Sequence, residues 1–208
     1  MPTARQLVQL FAGCVVLGVG VAMLLTADLG SDGYSTMVNG IALASGMGFL
    51  LANTLVSIVF LALAAARKVM PGIGTVVQIV VVGVTVNALL AAWDPPEGWP
   101  ARIALLVLAF PVLAVGIATY LGSHTGAGPA EAAALAYDPP LAFRWSYSVL
   151  QGGGALLGWL LGATVGVGTI AVIVALGPLV DLASRLLRLD VHQDKGGKGG
   201  EPVLRGEA

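Results

Sequence analysis

The sequence predicts an all-α membrane protein with six transmembrane helices, two short half-helices and two inverted three-helix repeats. Its composition is that of a membrane protein, since 57% of the 208 residues are hydrophobic and only 10% are charged, against about 25% charged in soluble domains. Six apolar stretches approach the roughly 20 residues that a helix needs to cross a bilayer. One segment also occurs twice, because residues 72–87 return as residues 166–181 at an offset of 94 without a gap.

The predicted spans are separated by short or broken stretches. They cover residues 7–27, 47–66, 69–93, 103–120, 146–164 and 169–187. Residues 145–180 carry no charge, and as one helix they would measure about 54 Å, too long for a bilayer, so we expect a break at Gly166-Val-Gly168. Residues 33–45 and 129–137 are too short to cross and predict half-helices, re-entrant or interfacial. Pro129 fits the first position of the second one.

Positive charges orient these spans. With the N-terminus in the cytoplasm and six crossings, nine of the ten Lys and Arg residues fall inside and only Arg102 falls outside, as the positive-inside rule requires. The nine are Arg5, Arg67, Lys68, Arg144, Arg185, Arg188, Lys195, Lys198 and Arg205. The sequence therefore predicts a multi-pass protein of the bacterial cytoplasmic membrane, with the lipid bilayer as partner and both termini cytoplasmic.

The duplication divides the chain into two repeats and a tail. Residues 1–95 form the first repeat, residues 96–189 the second, and the polar, Gly-rich residues 190–208 a disordered cytoplasmic tail. A weaker echo relates Val19-Gly-Val-Ala22 to Val115-Gly-Ile-Ala118 at an offset of 96, and likewise Gly30 to Gly126. Three crossings per half is an odd number, so the second half runs upside down. Transporters built from inverted repeats hold their substrate near the midplane, where broken helices meet.

The loops before the half-helices and the two Gly-x-Gly-Thr motifs are where such a site would form. An acid inside a membrane costs about 2.5–3.5 kcal/mol at the centre and usually marks function. Glycines allow close backbone approach, and Thr hydroxyls can bond a carbonyl or a ligand. The candidate substrate-binding residues are Asp28, Gly30, Asp32, Gly33, Thr75, His124, Gly126, Gly128, Glu131 and Thr169.

Each candidate also has a structural interpretation. Asp28 and Asp32 are ordinary loop acids if their loop is solvated at the outer surface. Glu131, at the third position of a half-helix, would complement the helix dipole, and the two Thr residues would cap tight turns. His124 aligns with Asp28 at the offset of 96, and the pair either meets near the midplane or lies in polar loops. Half-helix N-termini favour an anion and the acids favour a cation or proton, so the sign of the substrate stays open here.

At these motifs the chain resembles the YczE/YitT-type family of bacterial multi-pass membrane proteins, a resemblance that implies a fold and a location more than an activity. In that family the first loop usually continues Gly-Pro-Trp-Asp where this chain has Asp32-Gly-Tyr-Ser35, and the second usually reads Gly-Pro-Arg-Asp where it has Gly128-Pro-Ala-Glu131. These departures remove charges, which implies altered ion coupling here. The resembling residues, within 7–187, are Ala27-Asp-Leu-Gly30, Pro71-Gly-Ile-Gly-Thr75, Gly126-Ala-Gly-Pro129, Gly158-Trp-Leu-Leu-Gly162, Gly166-Val-Gly-Thr169 and Gly177-Pro178.

Two functions fit these features. The first is a small-molecule or ion permease with a midplane site between inverted repeats. The alternative is a non-transporting scaffold or accessory subunit of another complex. A stripe formed by Gly154, Gly158 and Gly162 predicts close helix packing, within the bundle or in a homodimer.

Other functional classes lack their motifs. The chain has no HExxH, no phosphate loop and no cysteine pair, Cys14 being its only cysteine. We therefore expect no enzyme activity, no metal site and no cofactor. A basic patch that would predict nucleic-acid binding is also missing from the sequence.

Overall fold

The computed structural model describes residues 2–68, 71–137 and 143–189, and within these ranges the chain forms eight α-helices and no strand. Helices α1, α3, α4, α5 and α8 are long and apolar enough to cross a membrane. An all-helical, membrane-type protein is therefore confirmed. The helices are α1 (Ala4–Ala27), α2 (Gly33–Ser45), α3 (Phe49–Ala66), α4 (Ile73–Ala92), α5 (Trp99–Leu121), α6 (Pro129–Ala136), α7 (Phe143–Leu160) and α8 (Val167–Leu187).

The two predicted half-helices are present as short helices. Helix α2 has the predicted bounds, and α6 ends one residue before its predicted end. Helix α7 occupies the fifth predicted span but is not among the five apolar helices, because polar residues and glycines make up much of its sequence. A sixth crossing therefore stays a prediction. The predicted tail, residues 190–208, lies outside the described residues.

Helices α1 and α5 pack against each other in opposite directions through reciprocal glycine contacts. A methyl group added to Gly20 would lie 2.7 Å from Leu113 Cγ, and one added to Gly116 would lie 2.5 Å from Leu17 N. Gly20 and Gly116 are equivalent at the offset of 96, and so are Leu17 and Leu113. Each repeat therefore places its glycine on the other repeat's leucine. Only a residue without a side chain permits this close approach.

Helices α2 and α7 run parallel and nearly touch through their backbones. A methyl group on Gly40 would lie 2.6 Å from Gly158 O, and one on Gly154 would lie 2.6 Å from Gly33 O. The glycine stripe thus packs inside the bundle, where Gly154 and Gly158 face α2. The homodimer predicted through this stripe loses these two glycines as contact surface, and only Gly162 has open space beside it.

Each Gly-x-Gly-Thr motif binds the loop of the opposite repeat. The Gly74 N–H donates to Thr125 O at 3.0 Å, and the Gly168 N–H donates to Leu29 O at 2.8 Å. These two bonds join equivalent positions, because 168 follows 74 by 94 residues and 125 follows 29 by 96. The starts of α4 and α8 therefore fix the loops that lead into the half-helices α6 and α2.

The two loops also share a backbone conformation. Asp28 and His124 both lie in the left-handed region, with φ of 54° and 52°. Two residues later Gly30 and Gly126 have φ of 100° and 135°, a region that side chains other than glycine rarely enter. The echo at an offset of 96 is thus a repeat of backbone shape as well as of residue type.

Apolar side chains cover much of the outer surface. Val76, Val80 and Val84 of α4 are between 48% and 54% exposed, and their spacing of four places them on one helix face. Comparable exposed aliphatic residues occur on α3, α5, α7 and α8. Apolar surface on this scale indicates contact with lipid.

Candidate functional site

A cavity of about 100 Å³ lies where the half-helices α2 and α6 begin. Its volume accommodates several water molecules or a small organic ion. Both half-helices contribute their first residues, and α1, α3, α4, α5, α7 and α8 supply the rest. The lining residues are Leu17, Val21, Asp32, Tyr34, Ser35, Phe49, Asn53, Gln78, Ile79, Val82, Leu113, Ile117, Tyr120, Pro129, Ala130, Glu131, Tyr147, Gln151 and Leu176.

Asp32 reaches the cavity as the N-cap of α2. Its Oδ2 accepts a hydrogen bond from the Ser35 N–H at 2.9 Å. This bond satisfies one of the free N–H groups that every helix start leaves open. The Asp32 carboxylate therefore neutralises the positive end of α2, and a bound anion is not needed there.

Glu131 enters the cavity from the first turn of α6. It converges with Gln78 of α4 over Gly128, since a methyl group on Gly128 would lie 2.5 Å from Glu131 Oε2 and 2.7 Å from Gln78 Nε2. The Tyr120 hydroxyl lies beside Glu131. Gln78 Oε1 and the Tyr120 hydroxyl are both buried, and neither makes a hydrogen bond of normal geometry to a described residue, although the hydroxyl lies close enough to the Glu131 carboxyl group to interact with it.

A hydrogen-bonded network forms the opposite wall. The Tyr34 hydroxyl donates to Asn53 Oδ1 at 3.0 Å, and it lies 2.8 Å from Ser57 Oγ. The Tyr34 N–H donates to Gln151 Oε1 at 2.9 Å, and Gln151 Nε2 donates to the Tyr147 hydroxyl at 2.9 Å. These bonds join α2 and α3 of the first half to α7 of the second, so this wall is held in place before any ligand binds.

The remaining lining is apolar and carries no positive charge. Leu17 and Val21 of α1 face the cavity together with Leu113 and Ile117 of α5. Lys, Arg and His do not occur among the described residues that line it. Among the described residues of the lining, Asp32 and Glu131 are the acidic residues, and no basic residue balances them. The cavity is therefore suited to a cation or a proton.

Comparison with known proteins gives a family for this chain. Residues 4–185 match a family described as a family of unknown function, DUF6198. The chain belongs to DUF6198. It is also 26% identical over 167 residues to an uncharacterized protein of Haemophilus influenzae, a match that covers 79% of this chain and 77% of that protein. No solved structure matches the chain, and the resemblance to YczE/YitT-type proteins stays a prediction.

Within this DUF6198 chain the predicted site residues separate into three groups. Asp32 and Glu131 line the cavity, and Gly33 and Gly128 adjoin them at the starts of α2 and α6. A second group joins the repeats around the cavity without lining it. This group consists of Gly30, Thr75, Gly126 and Thr169. Asp28 and His124 form the third group, and both are exposed outside the cavity.

Thr75 and Thr169 differ although they are equivalent. The Thr75 hydroxyl donates to Ala127 O at 2.7 Å. The Thr169 hydroxyl is buried without a partner among the described residues, and it lies against Gly30. Neither threonine caps its own helix by a side-chain bond, because the N-cap residues of α4 and α8 are Gly72 and Gly166, which have no side chain.

Asp28 ties three segments together at the protein surface. Its Oδ2 lies 3.3 Å from Arg102 Nη1 at the start of α5. Its Oδ1 accepts a hydrogen bond from the Thr164 hydroxyl in the loop between α7 and α8. Asp28 and His124 thus occupy separate polar loops, one of the two arrangements that the sequence left open.

Seven polar lining residues were missing from the predicted site. Asn53, Gln78, Tyr147 and Gln151 lie within helices, Tyr34 and Ser35 lie in the first turn of α2, and Tyr120 is the last residue but one of α5. A polar residue inside an apolar span is a signal for the first four. Which of these side chains face one cavity depends on helix rotation, and the sequence does not determine that rotation.

Proposed function

We propose that this protein is a small permease of the bacterial cytoplasmic membrane that carries a cation or a protonated solute through the cavity between two inverted repeats. The observation that carries the proposal is the pair of carboxyl groups. Asp32 and Glu131 stand at the starts of two half-helices from different repeats and line one cavity. Sites of secondary transporters form where broken helices meet in this way.

The repeat contacts support the inverted arrangement. Helices α1 and α5 are equivalent, run in opposite directions and exchange the Gly20–Leu113 and Gly116–Leu17 contacts. The Gly74–Thr125 and Gly168–Leu29 bonds are related in the same way. A two-fold axis through the α1–α5 contact would relate these pairs. With six crossings such an axis lies in the membrane plane, and the cavity lies near it.

The charge of the site supports a cationic solute. A free helix N-terminus attracts anions, but Asp32 already accepts from the first turn of α2 and Glu131 stands in the first turn of α6. An anion would therefore meet two carboxyl groups, whereas a cation would be stabilised by them.

Cysteine labelling tests the inverted arrangement. In a Cys14→Ala background, Asp28→Cys and His124→Cys place single thiols at equivalent, exposed positions. A membrane-impermeant reagent is expected to label position 28 from outside intact cells and position 124 only in inside-out vesicles. Asp94→Cys and Lys68→Cys, also exposed, serve as the outer and inner references. Labelling of positions 28 and 124 from the same side would contradict the proposal and favour the scaffold alternative.

Charge movement in proteoliposomes tests transport. Inward jumps of Na⁺, K⁺, ammonium or small organic ammonium ions are expected to give a transient current for at least one ion. The double variant Asp32→Asn/Glu131→Gln should abolish that current. Asp94→Asn/Glu97→Gln changes the same residue types in an exposed loop and should retain it. The absence of current for every ion, in protein shown to be folded, would refute the permease function.

A further inference from the structure

We infer that the solute is a small primary ammonium ion, whose amine end binds beside Glu131, Gln78 and Tyr120 at the start of α6. The inference rests on the proposed function and names the substrate class of the same cavity. Its basis is a difference between the two half-helix starts. At α2 the polar groups bond one another, whereas at α6 buried oxygen atoms remain without hydrogen bonds of normal geometry.

The α2 end is satisfied within the protein. Asp32 accepts from Ser35, and the Tyr34 hydroxyl is bonded to Asn53 and Ser57. Gln151 uses its oxygen for Tyr34 and its nitrogen for Tyr147. A ligand that bonded these groups would have to replace existing hydrogen bonds, and little would be gained.

The α6 end is unsatisfied. Tyr120 is only 1% exposed, and its hydroxyl lies beside the Glu131 carboxyl group without a hydrogen bond of normal geometry to any described residue. The buried Gln78 Oε1 likewise has no hydrogen-bond partner among these residues. Both residues line the cavity beside Glu131. A buried polar group without a hydrogen-bond partner destabilises the protein, so such groups in a cavity wall point to a ligand that forms the missing hydrogen bonds.

The kind of group that fits is set by the donors it must carry. Glu131 and Gln78 present oxygen acceptors, and the Tyr120 oxygen can also accept. An –NH₃⁺ group has three N–H donors and one positive charge, which matches three acceptors of which one is a carboxylate. A quaternary ammonium ion has the charge without the donors, and an alcohol lacks the charge.

The rest of the cavity fits a short hydrocarbon chain. Leu17, Val21, Leu113 and Ile117 form an aliphatic wall between the helices α1 and α5. Burial of methylene groups against this wall favours binding through the hydrophobic effect. The geometry therefore favours an alkylammonium ion over a bare metal cation, and the small cavity limits the chain to a few carbons.

Ligand binding to the purified full-length protein in detergent tests this assignment separately from transport. At pH 7 n-butylamine is protonated, as a lysine side chain is. It is expected to raise the thermal unfolding midpoint by an amount that increases with the logarithm of its concentration once that concentration exceeds the Kd. Tetramethylammonium, n-butanol and NaCl at matched ionic strength should give clearly smaller shifts. Equal shifts with tetramethylammonium, or a shift with Na⁺ alone, would overturn the assignment.

Variants locate the amine end. Glu131→Gln, Gln78→Leu and Tyr120→Phe should each weaken n-butylammonium binding about tenfold or more. Asp32→Asn keeps an N-cap and should weaken binding less than Glu131→Gln does, and Asp94→Asn, in an exposed loop outside the cavity, should leave binding unchanged. A stronger loss of n-butylammonium affinity in Asp32→Asn than in Glu131→Gln would place the amine beside α2 and refute the proposal.

The two proposals fail under different results. Wild-type protein that binds n-butylammonium but gives no current would refute the permease function alone, whereas currents without amine binding would refute this inference alone.

Discussion

Asp32 and Glu131 stand at different positions of two equivalent helix starts. Asp32 is the N-cap of α2, where α6 has Gly128, and Glu131 is the third residue of α6, where α2 has Ser35. Each half-helix thus keeps one carboxyl group at its positive end, which the helix dipole stabilises. The difference in position separates their roles, because the N-cap carboxylate is bonded to its own helix and Glu131 is directed at Gln78 and the cavity.

The first prediction concerns the N-cap. Asp32→Ala removes the bond to the Ser35 N–H and should destabilise the protein by about 0.5–2 kcal/mol. Asp32→Asn keeps an accepting oxygen and should cost much less. Thermal unfolding in detergent, followed by tryptophan fluorescence, measures both. Asp94→Ala, at an exposed loop position, is the control and should leave stability unchanged. An equal loss of stability in Asp32→Asn and Asp32→Ala would show that the N-cap hydrogen bond does not stabilise the protein.

The second prediction compares the equivalent residues Thr75 and Thr169. Thr75→Val removes the hydroxyl that donates to Ala127 O and should destabilise the protein by about 0.5–1.5 kcal/mol, since a partly buried carbonyl loses its hydrogen bond. Thr169→Val removes a buried hydroxyl that has no partner among the described residues. That change should be neutral or stabilising. Urea or thermal unfolding of the two variants measures both effects. A larger loss of stability in Thr169→Val than in Thr75→Val would contradict the hydrogen-bond assignment.

Much of the fold could be predicted because the length of each apolar stretch and the signals that begin and end a helix can be read from neighbouring residues. The half-helix α2 begins after Asp32, a capping residue, and α6 begins at Pro129, which fits a first helical position. The observed bounds agree with these local signals. The sequence predicts a repeat because Gly-x-Gly-Thr occurs twice and Gly30 and Gly126 are separated by a similar offset.

The site could be predicted only in part, for reasons of packing. The loops were found, but within them Asp28 is exposed while Asp32 lines the cavity, and the two acids are only four residues apart. Gln78 and Tyr120 come from different helices, so their meeting beside Glu131 depends on how α4 and α5 are rotated. Helix packing sets that rotation, and hydrophobic pattern in a nearly all-apolar helix does not report it.

The third prediction concerns the α1–α5 contact. Gly116→Ala places a methyl group 2.5 Å from the Leu17 backbone nitrogen and should force the helices apart, at a cost of about 1–3 kcal/mol. Gly152→Ala in α7 has open space around the new methyl group. It should be neutral or stabilise by about 0.5–1 kcal/mol, because alanine favours a helix. Thermal midpoints measure both, and a loss of similar size in Gly152→Ala would mean that glycine flexibility matters rather than close packing.

The last prediction concerns Asp28, which the sequence placed in the site and whose side chain lies outside the cavity. The Asp28–Arg102 pair is partly exposed, with side-chain exposures of 46% and 30%, and such surface pairs contribute less than about 1 kcal/mol. Arg102→Gln should therefore change stability little, and high salt should have a similarly small effect.

Asp28→Ala should leave n-butylammonium affinity within about twofold, as expected for distant, independent sites. His124→Ala, at the equivalent exposed position of the second repeat, is the matched control. A tenfold loss of affinity in Asp28→Ala but not in His124→Ala would mean that the loop holding Asp28 shapes the cavity, because Asp28 also binds Thr164 at the loop before α8.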